Sequence, residues 1–469
     1  MKLTFENRQV LVLGLGETGL SVLRWLDSQG AQLAVADTRD APPGLQFLRK
    51  ELPQVTVHLG PFSEQAFSAA DMIIASPGVP LSEPLILAAM RQGTPVVGDI
   101  ELFAQNKAPQ AKVIAITGAN GKSTVTSMVG EMCAAAGLKT VVAGNIGLPV
   151  LDALLQERSM GAPDVYVLEL SSFQLETTHT LKPDAATVLN ISEDHMDRYL
   201  SLAEYAGAKM RIFHGSGIQV LNRQDAWGRN MAFPGRKVVT FGTDLPPGSE
   251  DFGLMPAGSE AWLMLGSTGL MKTSEMHVPG LHNAGNALAA LALCHAIGLE
   301  QAPLVSALRN FKGLPHRVEL VAEIDGVTFY DDSKGTNVGA TCAALSGLTQ
   351  ADTGSKVVLI AGGDGKGQSF APLREHVAQS ARAVILLGRD ATLIAEDIKD
   401  ACVPLTHAAT LQEAVRMAYS AAQPQDVVLL SPACASFDMF RNYVHRAQVF
   451  VDAVKELKLS AKSRPEATA

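Results

Sequence analysis

The chain has 469 residues, of which 47% are hydrophobic and 18% are charged. At roughly 100 to 200 residues per domain, this length and composition predict about three compact domains and exclude general disorder. A formal net charge of -9 argues against a nucleic-acid binder or a protein that adheres to acidic membranes, because both need a broad basic surface.

The start of the chain and its cysteines indicate the compartment. Residues 1–16 carry charged residues ahead of the apolar run and then turn at glycines, which is not the plan of a secretory signal. The five cysteines are scattered and lack metal-ligand spacing, so we interpret them as free thiols. The apolar stretch 287–299 is too short to span a bilayer and predicts a buried helix. We therefore expect a cytoplasmic protein without a membrane span, and a monomer.

Three apolar, β-branched runs end abruptly in glycines and continue as helix-like sequence, beginning at residues 8, 112 and 356. Each pattern predicts a parallel strand that leads through a turn into a helix. Further buried strands are predicted within residues 71–78, 164–172, 186–192, 383–388 and 426–432. The prediction is an α/β protein with mostly parallel sheets, in which Rossmann-like N- and C-terminal domains flank a central P-loop-type ATPase domain.

Segments rich in Pro and Gly separate the periodic regions near residues 98 and 313. We therefore place the predicted domains at residues 1–98, 99–313 and 314–469.

The first glycine turn is GLGETG at 14–19, with Asp37 lying 21 residues beyond Gly16. This spacing is typical of a dinucleotide site, in which glycine amides approach a diphosphate and the acid accepts from a ribose hydroxyl. The same turn could equally serve another nucleotide, or be only a tight strand-to-helix connection.

The second glycine turn is ITGANGKST at 116–124, which resembles a phosphate loop shortened by two residues. Amides at the start of the following helix, the charge of Lys122 and a hydroxyl of Ser123 or Thr124 together suit a triphosphate with Mg²⁺. A glycine turn with an exposed lysine would not explain the hydroxyl pair.

Three more candidates follow in the central region. Glu169 comes at the end of a predicted strand and could hold a cation. Taken alone, an acid there is more often solvated or capping, but the phosphate loop one or two strands away favours a cation ligand. Asp194, His195 and Asp197 share one short loop after another strand, where chemistry is often located, although His195 could also be an ordinary loop histidine. Lys209 lies in a helical pattern whose spacing favours an ordinary surface lysine.

The C-terminal region offers anion-binding groups in three loops. FYDDSKGTN at 329–337 contains two acids and a lysine, GGDGKG at 362–367 contains Lys366, and SPACASFDMFRNY at 431–443 contains Ser436 and Tyr443. From the residues alone, the first two loops could bind anions or could simply be solvated.

Taken together, these motifs resemble those of the Mur ligase family in order and spacing. The resemblance covers residues 8 to about 455, and it rests on TGANGKST, LELSSFQLE, NISEDHMDRY, GLHNAGNALAA, GLPHRVE, DDSKGTN and SPACASFD. LSSFQLE and SPACASFD are most similar to the branch of the family that adds D-glutamate.

The resemblance implies an ATP-dependent ligase of peptidoglycan precursor synthesis that joins UDP-N-acetylmuramoyl-L-alanine to D-glutamate through an acyl phosphate. It also implies two Mg²⁺ sites, which Mn²⁺ could also fill. Because both initial reactants are anions, metal ions and cationic groups must offset their repulsion. The implied catalytic residues are Lys122, Glu169, His195 and Lys209, and the implied metal ligands are Ser123, Glu169, His195 and a carbamylated Lys209.

The resemblance also implies which residues bind the UDP-linked substrate, ATP and D-glutamate. The UDP-linked substrate would contact Thr18, Asp37, Thr38, Arg39, Gly78, Asn145 and Gln174. ATP would contact Gly118, Asn120, Gly121, Lys122, Ser123, Thr124, Asn286, Arg317 and Asp332. D-glutamate would contact Lys334, Thr336, Lys366, Ser436, Phe437 and Tyr443. Since these residues come from all three domains, we expect closure of the C-terminal domain about a hinge at 313–314.

Two positions depart from the family pattern. The segment before Lys209 aligns one residue short, so its assignment rests on the following KMRIF. Gly335 replaces an alanine expected in many relatives, which should loosen the turn without removing a ligand.

Four alternative functions remain open at this point. Another Mur ligase could add L-alanine or a diamino acid, although the Asp-Asn-Pro-Arg tetrapeptide of the diaminopimelate branch is absent. A folate polyglutamylating enzyme shares the central fold but lacks the N-terminal UDP domain. An NAD-dependent oxidoreductase would rest on GLGETG and Asp37 alone, and a non-catalytic nucleotide-binding regulator is the fourth.

Overall fold

A computed structural model of the chain describes residues 5–258, 260–278, 280–348 and 354–462. It divides into two compact units. The first unit comprises residues 1–191, 203–273 and 285–310, and the second comprises 192–202, 274–284 and 311–469. The described residues form three sheets of five, nine and six strands, most of them parallel, which confirms the predicted α/β architecture.

The first sheet is entirely parallel, with strand order β3-β2-β1-β4-β5. Strand β1 lies at its centre, where buried side chains on both faces explain the continuous apolar run QVLVL. The strands are β1 (Gln9–Leu13), β2 (Gln32–Asp37), β3 (Thr56–Leu59), β4 (Met72–Ala75) and β5 (Val96–Val97). The helices are α1 (Glu17–Asp27), α2 (Leu45–Glu51), α3 (Glu64–Ser68) and α4 (Pro84–Arg91).

The second sheet has strand order β14-β13-β12-β11-β10-β9-β6-β8-β7. Neighbouring strands among β6 to β12 are parallel, whereas the pairs β12–β13 and β13–β14 are antiparallel. Its strands are β6 (Lys112–Thr117), β7 (Thr140–Gly144), β8 (Val165–Glu169), β9 (Ala185–Val188), β10 (Ile218–Asn222), β11 (Val238–Phe241), β12 (Phe252–Ala257), β13 (Glu260–Leu265) and β14 (Thr268–Lys272). Its α-helices are α5 (Asp99–Asn106), α6 (Lys122–Ala135), α7 (Val150–Met160), α8 (Ser172–Glu176), α9 (Leu202–Met210), α10 (Ala226–Arg229), α11 (Leu281–Ala296) and α12 (Gln301–Asn310). Short 3-10 helices span Arg211–Phe213 and Thr273–Glu275.

The third sheet belongs to the second unit and has strand order β15-β16-β20-β17-β18-β19, parallel except for the hairpin of β15 and β16. Its strands are β15 (Glu319–Ile324), β16 (Val327–Asp331), β17 (Val357–Ala361), β18 (Ala381–Leu386), β19 (Leu405–His407) and β20 (Val427–Leu430). Its helices are α13 (Val338–Leu348), α14 (Leu373–Ser380), α15 (Ala391–Ile398), α16 (Leu411–Ala421) and α17 (Tyr443–Lys462), with a 3-10 helix at Lys399–Ala401. Apolar clusters cover both faces of this sheet.

The predicted buried helix is confirmed within α11, where the side chains from Ala287 to Cys294 are fully buried. Among the described residues, no helix combines the length and apolar composition needed to cross a bilayer. All five cysteines are free thiols. The three sheets lie within residues 9–97, 112–272 and 319–430, and we keep the domain boundaries at 98 and 313 as a proposal.

Candidate active site

Three neighbouring strands of the second sheet end at the same edge. Strand β6 lies between β8 and β9, with Ile116 opposite Glu169 and Thr117 opposite Val188. The ITGANGKST loop leaves β6 at this edge, Glu169 terminates β8, and Asn190 follows β9. Parallel strands bring their carboxyl ends together, so this edge collects the loop, an acid and an amide.

Two glycines of the loop are needed for its shape. Gly118 has φ 155° and Gly121 has φ 83°, both in the region that disfavours other residues. A Cβ atom on Gly121 would lie 2.6 Å from Oδ1 of Asn286, and a Cβ on Gly118 would lie 3.0 Å from Cβ of Leu189. The predicted ATP residue Asn286 therefore lies directly beside the loop.

Asn190 fixes the backbone of this loop, and sequence analysis did not identify it. The Ala119 N–H donates to the Asn190 carbonyl at 2.9 Å, and the Asn120 N–H donates to Asn190 Oδ1 at 2.8 Å. The Asn190 amide in turn donates to the Asn120 carbonyl at 3.1 Å. Because these two amides are already bonded, phosphate oxygens would have to use the amides that follow them at the start of α6.

The start of α6 supplies the remaining parts of a phosphate site. Lys122 is its first residue, and its ammonium donates to the carbonyls of Gly118 and Ala119 at 2.8 Å each. Ser123 and Thr124 follow and are buried. The amides and the dipole at this helix N-terminus favour an anion, and the Lys122 charge lies on the same loop.

Glu169 is buried, with 1% of its surface exposed, which excludes the alternative of a solvated strand end. Its Oε1 accepts from the Asn145 amide at 2.7 Å, whereas Oε2 has no hydrogen-bond partner among the described residues. A buried carboxylate oxygen without a hydrogen-bond donor destabilises the folded state unless a cation or a water molecule binds it. A carboxylate oxygen in this position is a ligand of the type that a hard divalent cation such as Mg²⁺ prefers.

The structure differs most from the sequence-based interpretation at Lys209. It lies in α9 but is only 1% exposed, so the favoured interpretation as a surface lysine is wrong. Its ammonium donates to Thr117 Oγ1 at 3.3 Å and lies 4.6 Å from the centre of the Tyr205 ring. Thr117 is the last residue of β6, so this lysine reaches the strand that carries the phosphate loop.

The first glycine turn opens onto a cavity of about 630 Å³. Its wall contains every residue that was predicted to contact the UDP-linked substrate, namely Thr18, Asp37, Thr38, Arg39, Gly78, Asn145 and Gln174. A cavity of this size suits a nucleotide-sized ligand. All of its lining residues belong to the first unit.

Asp37 is saturated by hydrogen bonds. One oxygen accepts from the Arg39 backbone and Nε at 2.9 and 2.8 Å, and the other from the Leu15 N–H and the Arg39 terminal nitrogen at 2.7 and 2.6 Å. Burial opposes ionisation, but these donors outweigh it and lower the pKa of Asp37 to about 2. Because a carboxylate has about four acceptor positions, little capacity is left for a ribose hydroxyl.

The acidic loop after β16 is buried, so its interpretation as a solvated loop is wrong. Asp331, Asp332 and Ser333 are 0%, 6% and 0% exposed. Asp332 accepts from the Ser431 hydroxyl at 2.6 Å. Burial raises the pKa of Asp332 to about 7, although Ser431 and the charge of Arg317 act in the opposite direction.

Gly335 lies against the side chains of Asp332 and Ser431, a contact that the sequence did not predict. A Cβ atom at this position would lie 2.4 Å from Asp332 Oδ2 and 2.8 Å from Ser431 Oγ. An alanine at this position would therefore require the side chains of Asp332 and Ser431 to shift.

The predicted D-glutamate residues occur in neighbouring loops of the second unit. The Lys334 ammonium lies 4.0 Å from the centre of the Tyr443 ring. Ser436 is buried, whereas the Phe437 side chain is 74% exposed. Arg446, which sequence analysis missed, donates to the carbonyls of Ser333 at 2.9 Å and Cys434 at 3.1 Å, and so ties the two loops together. For Thr336, the backbone N–H donates to the Lys334 carbonyl at 2.9 Å.

The loop of His195 belongs to the second unit. The buried carboxylate of Asp194 forms an ion pair with Lys366 and accepts from the Asn337 amide at 3.2 Å. His195 has φ 58°, and its Nε2 lies 3.7 Å from the Asp194 carboxylate. The predicted D-glutamate lysine Lys366 therefore contacts the acid that precedes the predicted metal ligand His195.

A second group with metal-ligand character was not predicted. Single atoms of His316, Glu319 and Asp331 lie within 4.8 Å of one another. His316 Nδ1 is 2.7 Å from the Asp331 carboxylate, so the two side chains already satisfy each other. We assign no metal to this group.

Three family descriptions match successive parts of the chain. They are "Mur ligase MurD-like, N-terminal domain" over residues 8–98, "Mur ligase middle domain" over 116–294 and "Mur ligase, glutamate ligase domain" over 316–434. The chain belongs to the Mur ligase family.

Individual relatives are similar to this chain over nearly its whole length. A protein of Methylobacillus flagellatus named UDP-N-acetylmuramoylalanine--D-glutamate ligase is 61% identical, with 97% of this chain and 98% of the relative covered. A protein of the same name from Thiobacillus denitrificans is 58% identical, with 97% and 98% covered. The solved UDP-N-acetylmuramate-alanine ligase of Thermotoga maritima shares the fold, with a TM-score of 0.61 at 20% identity over 96% of this chain and 100% of that one.

The residues assigned by resemblance to the Mur ligases divide between the two units. The UDP residues, the phosphate loop, Glu169, Lys209 and Asn286 lie in the first unit. His195, Arg317, Asp332 and the six residues predicted for D-glutamate lie in the second. Their individual roles, and the hinge at 313–314, remain predictions.

Replacing Asn190 by alanine should weaken nucleotide binding. The variant removes the side-chain acceptor and donor that hold Asn120, so the loop loses its fixed shape. Loss of about 1 to 2 kcal/mol predicts roughly ten-fold weaker ATP binding in calorimetry. Binding of a UDP ligand serves as the control and should be unchanged. Wild-type ATP affinity in the variant would contradict the role of Asn190.

Replacing Asp332 by asparagine should change the pH dependence of stability. The folded pKa of about 7 exceeds the unfolded value, so the folded state binds more protons between roughly pH 4 and 7, and wild-type stability falls as pH rises through this window. Asparagine does not ionise, so the variant does not lose stability in this way. Its free energy of unfolding relative to that of the wild type should therefore rise by about 2 kcal/mol from pH 5 to 7. Urea unfolding at each pH measures the difference. A difference that does not change with pH would contradict the raised pKa.

Proposed function

We propose that this Mur ligase forms the amide bond between UDP-N-acetylmuramoyl-L-alanine and D-glutamate, with ATP converted to ADP and phosphate. The observation that carries the proposal is 61% identity, over 97% of this chain, to a relative of that name. Further support comes from the phosphate loop beside the buried Glu169 and from the cavity of about 630 Å³.

The chemistry explains why ATP is needed. A carboxylate resists attack by an amine because it has no good leaving group, so the γ-phosphoryl group is first transferred to an oxygen of the L-alanine carboxylate and ADP leaves. The D-glutamate amine then attacks the acyl carbon and loses a proton, the C–O bond to phosphate breaks, and phosphate leaves. Catalysis therefore depends on positioning and on charge stabilisation.

We assign the nucleotide phosphates to the loop and the first turn of α6. Gly118, Asn120 and Gly121 form the loop, Ser123 and Thr124 offer hydroxyls, and Asn286 lies beside Gly121. Lys122 would exchange its bonds to the Gly118 and Ala119 carbonyls for phosphate oxygens. Arg317 and Asp332 are the proposed contacts to ATP from the second unit.

We propose that Ser123 and Glu169 hold one Mg²⁺, and that His195 and a carbamylated Lys209 hold the other. The uncompleted Oε2 of Glu169 supports the first site. For the second, the burial of Lys209 removes the objection that a solvated lysine would not be a ligand. When bound, Mg²⁺ neutralises the charge that accumulates on the phosphates. Mn²⁺ could replace it.

The two organic substrates require different surroundings. The cavity around Thr18, Arg39 and Gln174 suits the UDP moiety, because glycine amides and a guanidinium can bind a diphosphate. D-glutamate carries two carboxylates, for which we propose Lys334, Thr336, Lys366, Ser436, the Phe437 backbone and Tyr443. We place the reaction in the cytoplasm, where ATP and UDP-linked precursors occur.

The oxidoreductase alternative has no support from the site. Asp37, its expected ribose ligand, already accepts four hydrogen bonds from Leu15 and Arg39. The oxidoreductase alternative also assigns no role to the GKST sequence or to the buried Glu169.

One assay tests the proposed function. The purified protein is incubated with UDP-N-acetylmuramoyl-L-alanine, ATP, Mg²⁺ and either D- or L-glutamate, and the products are weighed by mass spectrometry. We expect one new UDP-linked species, formed only with the D enantiomer, together with stoichiometric ADP and phosphate. Product formed with L-alanine or a diamino acid, or ATP hydrolysis that ignores D-glutamate, would contradict the proposal.

A further inference from the structure

Residues 98–101 are docked onto residues 174–180 within the first unit. A Cβ atom on Gly98 would lie 2.2 Å from Thr177 Oγ1, so a side chain at this position would displace the Thr177 hydroxyl. Glu101 is 2% exposed and accepts from the backbone N–H groups of His179 and Thr180 at 2.6 and 2.8 Å. The start of α5 is therefore held firmly against α8 and the residues after it.

Asp99 forms the part of this contact that is bonded to Gln174, a residue of the cavity wall. It is 4% exposed, and its Oδ2 accepts from Nε2 of Gln174 at 3.2 Å. Its Oδ1 has no hydrogen-bond partner among the described residues. Burial raises the pKa of Asp99 to about 6, against the hydrogen bond from Gln174, so the group is mainly an ionised acceptor above neutral pH.

Both ends of the Gln174 carboxamide are thereby oriented. Oε1 accepts from the Ser171 N–H and hydroxyl at 3.1 and 3.3 Å in a capping box, and Nε2 donates to Asp99. Without Asp99, the capping box alone would hold the side chain, and the Nε2 end would lose its acceptor. Gln174 lines the cavity of about 630 Å³, so its orientation decides which amide atoms a ligand meets.

We propose that Asp99 is a positioning residue for the UDP-linked substrate, acting through the Gln174 carboxamide. The inference rests on the proposed function, because it assigns that substrate to this cavity. Asp99 itself does not line the cavity, and its effect is on substrate affinity rather than on the chemical step.

The experiment compares Asp99→Leu, Asp99→Asn and Glu101→Gln. Leucine removes the acceptor, and KM for the UDP-linked substrate should rise roughly ten-fold, while kcat and KM for ATP and D-glutamate stay within about three-fold. Asparagine retains an acceptor oxygen and should restore most of the affinity. Glu101→Gln alters a neighbouring buried acid that does not contact Gln174, so it is the matched control and should leave KM unchanged.

A double-mutant cycle tests whether the effect passes through Gln174. Asp99→Leu should add no further loss in a Gln174→Ala background, because the positioned group is already absent. Thermal unfolding and direct binding of the UDP-linked substrate without ATP are measured on every variant.

The outcomes separate the inference from the proposed function. Unchanged substrate affinity in Asp99→Leu, an equal loss in Glu101→Gln, or full additivity with Gln174→Ala would overturn the positioning role. If the wild-type protein neither binds nor converts the UDP-linked substrate, the proposed function fails and the inference fails with it.

Discussion

The adjacency of β8, β6 and β9 is the constraint on which the site depends. Because these parallel strands end together, one edge receives the phosphate loop from β6, the Glu169 carboxylate from β8 and the Asn190 side chain from β9. Asn190 then sets the loop backbone, and Asn286 lies against Gly121. A loop two residues shorter than the common phosphate loop can keep a fixed shape because neighbouring elements hold it.

The second feature of the candidate site is that several of its ionisable side chains are buried. Glu169 and Lys209 are each 1% exposed, and Asp332 is 6% exposed. Burial of ionisable groups lowers the stability of the folded state and is typical of functional sites, so we infer that these residues serve the reaction. Glu169 supports this interpretation most directly, since one of its oxygens lacks a donor among the described residues.

The sequence predicted the architecture better than the surroundings of single residues. The strands, their glycine turns and the buried α11 follow from local apolar patterns, and the structure confirms them. The burial of Lys209 could not be predicted, because it depends on contact with Thr117, 92 residues away in the chain. Asn190 and Asp99 were missed for the same reason, because their partners are 70 and 75 residues away in the chain. Asn190 opens the NISEDHMDRY motif, but nothing in that motif indicates that its side chain holds the phosphate loop. The close approach of Gly335 to the Asp332 and Ser431 side chains likewise could not be predicted, because Ser431 is distant in the chain.

We propose that Glu169, at the end of β8, completes a divalent-cation site beside the phosphate loop. Glu169→Gln tests it most directly, because glutamine keeps an oxygen for the Asn145 amide but replaces the partnerless oxygen by nitrogen. The measurement is Mn²⁺ binding in the presence of ATP, followed by electron paramagnetic resonance, with thermal unfolding as the check on folding. The account predicts an intact fold with Mn²⁺ affinity reduced by at least about ten-fold. Wild-type Mn²⁺ affinity in the folded variant would contradict it.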